Sequence, residues 1–181
     1  ANLNKGTFSQ IVENFYHQVL GLIEGGADVL LIETQQDILE TKAIIEGANK
    51  AFAEKKIKLP MIVQATVDVF SKMQIFNTDI HAAYTAVSKM GIDVFGINCN
   101  VGPDEMVATV EKLSRVCRHP ISVVPNAGQP ISEDGQTCYK LSPEDMANTV
   151  EPFVREHGVS IVGGCCGTTP AHIKALREKL K

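Results

Sequence analysis

The chain has 181 residues, 44% apolar and 21% charged, with a formal net charge of −4, which is enough for one globular domain with a substantial core. The acidic balance and the lack of a basic block argue against nucleic-acid binding, and no apolar run approaches the roughly 20 residues that span a bilayer. Five cysteines is an odd number in a chain too large to depend on disulfide staples, so the expected setting is a reducing cytoplasm with thiol or metal chemistry.

The opening residues, Ala1-Asn2-Leu3-Asn4-Lys5-Gly6, carry neither a signal-peptide pattern nor an initiator Met, as expected of a piece of a longer product. Thr7-Phe8-Ser9-Gln10 reads as a capping box. Ile11, Phe15, Val19 and Leu22 follow at helical spacing, and Gly25-Gly26 stops that helix. Residues 27–32 form a short strand, apolar apart from Asp28, that ends at Glu33-Thr34. A helix is expected from about Asp37 to Ala53, a strand at 61–67, and a helix capped by Thr78-Asp79 that runs to about Met90. A strand at 94–99 precedes a helix with Pro103 in its first turn. The strand at 121–124 ends at Pro125-Asn126-Ala127-Gly128 and leads into a loop rich in glycine and polar residues. Ser142 caps the next helix with Pro143 just inside it. Residues 160–163 form the last strand, and Thr169-Pro170 opens the final helix.

The strands are continuous apolar runs, the pattern of parallel strands covered on both faces. Five βα repeats at even spacing fit either a (β/α)8 barrel or a doubly wound sheet. Five strands cannot close an eight-stranded barrel, so the barrel reading places three further strands ahead of residue 1. In both architectures the active site forms at the carboxyl ends of the parallel strands. The residues expected on that rim are Glu33 and Thr34, Thr66 and Asp68, Asn98 and Cys99, Asn126, and Cys165 and Cys166.

A lone strand cysteine is most often core. Cys117, in the stripe Met106, Val110, Leu113, Cys117, is read that way, and Cys138 in the polar loop has no assigned role. Cys99 together with the vicinal pair Cys165-Cys166 differs, because three thiols at strand ends suit a zinc ion with three protein ligands and one open position. Sulfur-rich ligation would favour a sulfur substrate there. Successive strand side chains point to opposite faces, so the vicinal pair converges only if the backbone turns sharply, as Gly163, Gly164 and Gly167 permit. A vicinal disulfide is the rival reading. The five histidines fall on helices or beside helix ends and make poor ligand candidates. Glu33 either caps the following helix or binds substrate, and Asn126 is either a turn residue or an oxygen donor to the metal.

At these residues the chain resembles the zinc-dependent homocysteine S-methyltransferase family, and within it the N-terminal modules of cobalamin-dependent methionine synthases. The stretches that carry the resemblance are Glu-Gly-Gly-Ala-Asp-Val-Leu-Leu-Ile-Glu-Thr at 24–34, Gly-Ile-Asn-Cys-Asn-Val-Gly-Pro at 96–103, Pro-Asn-Ala-Gly-Gln-Pro at 125–130 and Gly-Gly-Cys-Cys-Gly-Thr-Thr-Pro at 163–170. The chain departs at 70–77, where those synthases carry a Gly-Arg-Thr-Leu-Ser-Gly-like loop. The resemblance runs nearly end to end. It implies that residues 1–181 are one partial domain, the later part of a (β/α)8 TIM barrel from about its third helix to its eighth.

It further implies that Cys99, Cys165 and Cys166 ligate Zn2+ and form the catalytic centre, that Glu33 binds the ammonium of homocysteine, and that Thr34 and Asn126 belong to the same pocket. The implied reaction is methyl transfer to homocysteine, giving methionine. Its donor would be methylcobalamin, with cobalamin- and folate-binding modules of the same longer polypeptide as partners. Betaine or S-methylmethionine as donor and a non-catalytic zinc-binding module are the alternatives. A thiol-redox protein ranks lowest, since the chain lacks a Cys-x-x-Cys motif.

Overall fold

A computed structural model describes residues 6–181. Thr7 caps α1 (Phe8–Glu24): its hydroxyl accepts from the Gln10 N–H, while the Gln10 side chain accepts from the Thr7 N–H at 2.8 Å. After Gly25 and a left-handed Gly26 (φ 84°), β1 runs Leu30–Gln35 and leads to α2 (Ile38–Lys55), whose cap Asp37 accepts from the Leu39 N–H. β2 (Met61–Ala65) is followed by a small hairpin, β3 (Lys72–Met73) and β4 (Thr78–Asp79), and by α3 (Ile80–Val87). Then come β5 (Val94–Asn98), α4 (Pro103–Val116), β6 (Ile121–Val124), a second hairpin of β7 (Ile131–Glu133) and β8 (Gln136–Cys138), α5 (Pro143–Arg155), β9 (Val159–Val162) and α6 (Pro170–Leu180).

The main differences from the sequence reading lie at β1, at α3 and in the glycine-rich loop, while β2 ends at Ala65 rather than residue 67. β1 begins three residues late and carries Glu33 and Thr34 inside it rather than after it. α3 stops at Val87, because the chain turns toward a left-handed Gly91 (φ 85°). The glycine-rich loop contains the β7–β8 hairpin, turned by Asp134 and Gly135 at φ 50° and 77°. Positive φ at both turn residues matches the primed turns that join antiparallel strands.

Five strands form one parallel sheet in the order β1-β2-β5-β6-β9. Each strand lies beside its predecessor in the parallel series. A doubly wound sheet reverses strand order at a switch point; this sheet never does, so it is an arc of a (β/α) barrel. Met61, Val63, Phe95, Ile97 and Val123 are almost wholly enclosed, each contributing roughly 1.5–3 kcal/mol of apolar burial. α1 and α2 cross closely at Gly47, where an added Cβ would lie 2.6 Å from the Val12 carbonyl.

Coverage on both faces holds for the inner strands and fails at the edges. Leu31 on β1 is 51% exposed and Ile161 on β9 is 37% exposed, whereas Val63 and Ile97 are fully buried. Among the described residues no helix is long and apolar enough to cross a membrane.

Candidate metal centre and rim

The carboxyl ends of β5 and β9 bring three thiols together. Cys99 follows β5, and Cys165 and Cys166 follow β9. Cys99 Sγ lies 3.6 Å from Cys166 Sγ, Cys166 Sγ lies 4.0 Å from Cys165 Sγ, and all three fall within 4.8 Å of one another. All three thiols are free. A tetrahedral zinc with Zn–S bonds of about 2.3 Å would space its sulfurs about 3.8 Å apart, and the 3.6 and 4.0 Å separations bracket that value. No histidine or carboxylate joins this cluster among the described residues.

Local backbone geometry makes the convergence possible. Cys99 and Asn100 adopt left-handed conformations at φ 62° and 69°, which turn the chain out of the strand at once. The Cys99 N–H donates to the Val124 carbonyl at 3.0 Å and the Cys165 N–H to the Pro125 carbonyl at 2.7 Å. The Ala127 N–H donates to the Cys166 carbonyl at 2.8 Å. Asn126, 3% exposed, accepts the Cys166 N–H on its amide oxygen at 3.1 Å. The Thr168 hydroxyl caps the Cys165 carbonyl at 2.7 Å. Gly167 sits at φ 77° directly under the Tyr139 ring, where any Cβ would come within 2.2 Å of Cγ.

Tyr139 is the residue the sequence reading passed over. It follows β8, and the next residue but one, Leu141, anchors the strap: its N–H donates to Ala127 at 3.1 Å and its carbonyl faces His172 Nε2 at 3.0 Å. Burial, and then the Cys166 thiol beside its hydroxyl, raise the Tyr139 phenol above its ordinary value. The signal available in the sequence was Asp134-Gly135, which marks a hairpin and so an aromatic held at its base.

The thiols are crowded. Burial, then the neighbouring Cys99 and Cys166, push the Cys165 thiol up to about 12. The Cys165 thiol therefore keeps its proton until a cation at the site favours the thiolate. Three sulfur donors at tetrahedral spacing therefore fit zinc in both number and chemistry. Cys117 is half-buried at the end of α4, against the apolar core, with its thiol raised by burial.

The other rim residues have distinct places. Glu33 and Thr34 are exposed at the end of β1. Asn98, fully buried, reaches across from β5: its Oδ1 accepts the Thr34 N–H at 2.8 Å and its Nδ2 donates to Thr34 Oγ1 at 2.8 Å. Thr66 donates its hydroxyl to the Asn98 carbonyl at 2.9 Å. Asp68 turns instead to its own hairpin, accepting the Phe70 and Lys72 N–H groups at 2.9 Å each. A cleft of about 400 Å3 runs along the open edge of β1, with Phe15, Leu22, Val29 and Leu31 as its apolar wall and Glu33 in its lining.

The family model described as homocysteine S-methyltransferase matches residues 2–180. A methionine synthase of Mycobacterium tuberculosis is 41% identical over 169 residues, covering 93% of this chain and 14% of that protein. A methionine synthase of Mycobacterium leprae is 40% identical over 168 residues, covering 92% of this chain and again 14% of the relative. The chain thus spans about one seventh of the length of these relatives. The crystal structure of the apo homocysteine methyltransferase MmuM from Escherichia coli superposes with a TM-score of 0.75 at 22% identity, over 97% of this chain and 58% of that one. A metallated form of MmuM gives 0.69 at 24% identity. The family match covers nearly every residue, including the three strand-end cysteines, and the chain belongs to the homocysteine S-methyltransferase family.

Proposed function

We propose that this chain forms the homocysteine-activating part of a zinc-dependent methionine synthase, with methylcobalamin carried on another module of the same longer polypeptide as the methyl donor. The observation that carries this reading is the convergence of Cys99, Cys165 and Cys166 at tetrahedral sulfur spacing on the carboxyl rim of the sheet. The relatives named methionine synthase support the choice of donor.

Cys99, Cys165 and Cys166 would hold the zinc. When bound there, zinc lowers the pKa of a substrate thiol and supplies it as a thiolate nucleophile at neutral pH. The protein's own residues do the rest. Asn126 fixes the Cys166 backbone by accepting its N–H on the amide oxygen, which has a second lone pair to offer. Glu33, exposed on the same rim, offers a carboxylate to the ammonium of homocysteine. Thr34 offers its hydroxyl beside it. The substrate sulfur then forms a bond to the donor's methyl carbon, and the pair of electrons of the broken donor–methyl bond stays with the donor. A reducing compartment such as the cytoplasm suits the free thiols.

The test is a titration of the metal-depleted protein with zinc, followed by homocysteine. The expected result is about one zinc per chain in sulfur coordination and a further metal–sulfur bond when homocysteine is added, seen by X-ray absorption. Turnover with methylcobalamin but not with betaine or S-methylmethionine would establish the donor. A protein that binds zinc and ignores homocysteine would be a binding module instead.

A further inference from the structure

The end of β1 is strained, and one buried side chain holds it. Thr34 adopts φ 59°, a conformation that β-branched residues rarely visit. Such a residue costs on the order of 1–3 kcal/mol and persists only where its surroundings over-determine it. The β1–β2 pairing shifts register between Ile32 and Gln35, so Glu33 and Thr34 form a bulge. Bulges re-aim side chains and recur beside active sites. Past the bulge the ladder resumes, with the Thr66 N–H donating to the Gln35 carbonyl at 2.8 Å.

Asn98 supplies the constraint. Its amide is fully buried and spends both ends on Thr34, accepting from the backbone N–H and donating to the hydroxyl, each at 2.8 Å. The Asn98 carbonyl is itself held by the Thr66 hydroxyl. The next residue is Cys99, one of the three converging thiols. A satisfied buried asparagine is ordinarily a matter of core hydrogen bonding. Here its partner is an exposed residue in a strained turn, next to the rim carboxylate of Glu33.

We propose that Asn98 is a positioning residue: by clamping the Glu33–Thr34 bulge against the strand that carries Cys99, it sets where the amino-acid end of the substrate lies relative to its sulfur. This rests on the homocysteine reading above. The substrate's thiol and ammonium are separated by a fixed number of bonds, so both can be engaged only if the two rim positions keep their spacing. Asn98 joins those positions through a single side chain. Its loss should leave thiol binding intact and weaken recognition of the amino-acid end.

The test uses the intact zinc-loaded protein and two thiols: homocysteine, and 2-mercaptoethanol, which has no amino-acid end. Asn98→Ala should keep one zinc per chain and raise KM for homocysteine roughly tenfold, the scale of losing a supported polar contact. Its kcat should change little, and kcat/KM for 2-mercaptoethanol should stay within about twofold of wild type. Asn98→Asp, which still accepts the Thr34 N–H, should recover most of the loss. In the wild-type protein the Thr34 amide should exchange slowly with solvent despite its exposed residue, a measurement that needs no variant to fold. Equal losses for both thiols, loss of zinc, an unchanged homocysteine KM, or fast exchange at Thr34 would each overturn the assignment. A wild-type protein that does not bind homocysteine removes the methyl-transfer reading and this inference together. Normal wild-type binding with an unselective Asn98→Ala defect removes this inference alone.

Discussion

The two ends of the rim are built in opposite ways. The cysteine end is redundant: backbone hydrogen bonds from Cys99, Cys165 and Ala127, the Asn126 and Thr168 side chains, and the Tyr139 ring packed on Gly167 all hold it. The Glu33–Thr34 end is a bulge held by fewer contacts, chiefly the Asn98 side chain on Thr34, with the Gln35 side-chain amide donating to the Glu33 carbonyl at 3.0 Å. Metal ligation tolerates little displacement, since bond lengths and angles are stiff. Orienting a flexible amino acid needs only that a charge stay within reach. The difference teaches that a rim can spend most of its constraints where chemistry is least forgiving.

The comparison breaks most completely at the sulfurs. Cys165→Ala should remove the bound zinc and lower turnover at least about a thousandfold, because the several kcal/mol of metal-assisted activation go with it; zinc stoichiometry beside a methyl-transfer assay measures both. Zinc and activity retained in that variant would refute the ligand set. Gly167→Ala attacks the same end through its scaffold. The new Cβ meets a left-handed backbone at φ 77° and the Tyr139 ring at 2.2 Å, at a cost of roughly 2–4 kcal/mol. Zinc affinity in a chelator competition should fall on the order of tenfold or more, and Tyr139→Ala in the same chain should return part of it. An unchanged affinity would mean that the ring is not a structural part of the centre.

Smaller effects sharpen the other end. Glu33→Gln should raise KM for homocysteine roughly tenfold through loss of a charge-assisted contact, leave zinc content unchanged and leave 2-mercaptoethanol unaffected. Parallel effects on both thiols would place Glu33 elsewhere in the mechanism.

The smallest expected effect is on pH dependence. The Cys165 thiol is raised from 9.0 to about 12 in the folded, metal-free protein, by burial first and then by Cys99 and Cys166. A raised pKa means that the folded state holds its proton more tightly than the unfolded chain does. The associated stability is therefore present in full below pH 9 and is lost as the pH climbs from about 9 toward about 12. Urea denaturation of the metal-free protein should show that decline, and the Cys165→Ala protein should show less of it. Zinc binding displaces the thiol protons, so zinc affinity should rise with pH across the neutral range.

Much of this was readable from residue order. The capping box at Thr7 and the Ser142-Pro143 start are local signals, and both helices begin where their caps stand. Cys99 and Cys165-Cys166 were legible as strand-end thiols because an apolar run ends at each of them. The β7–β8 hairpin was missed because its strands are short and solvent-exposed, with no apolar alternation to mark them. Asn98 could be placed on the rim but not given a task, since its partner Thr34 is 64 residues away.

Sequence alone determined the kinds of group available and the ends of the strands on which they sit, because hydrophobic runs, caps and glycines act over a few residues. Tertiary structure decided the rest. An apolar run specifies that a strand is buried, not which strand lies beside it, so residue patterns left a barrel arc and a doubly wound sheet both open; the family resemblance implied the barrel, and the order β1-β2-β5-β6-β9 shows it. The 3.6 Å approach of Cys99 to Cys166, separated by 67 residues, and the clamp of Asn98 on a strained Thr34 both depend on register between parallel strands, which long-range packing sets and no local pattern encodes.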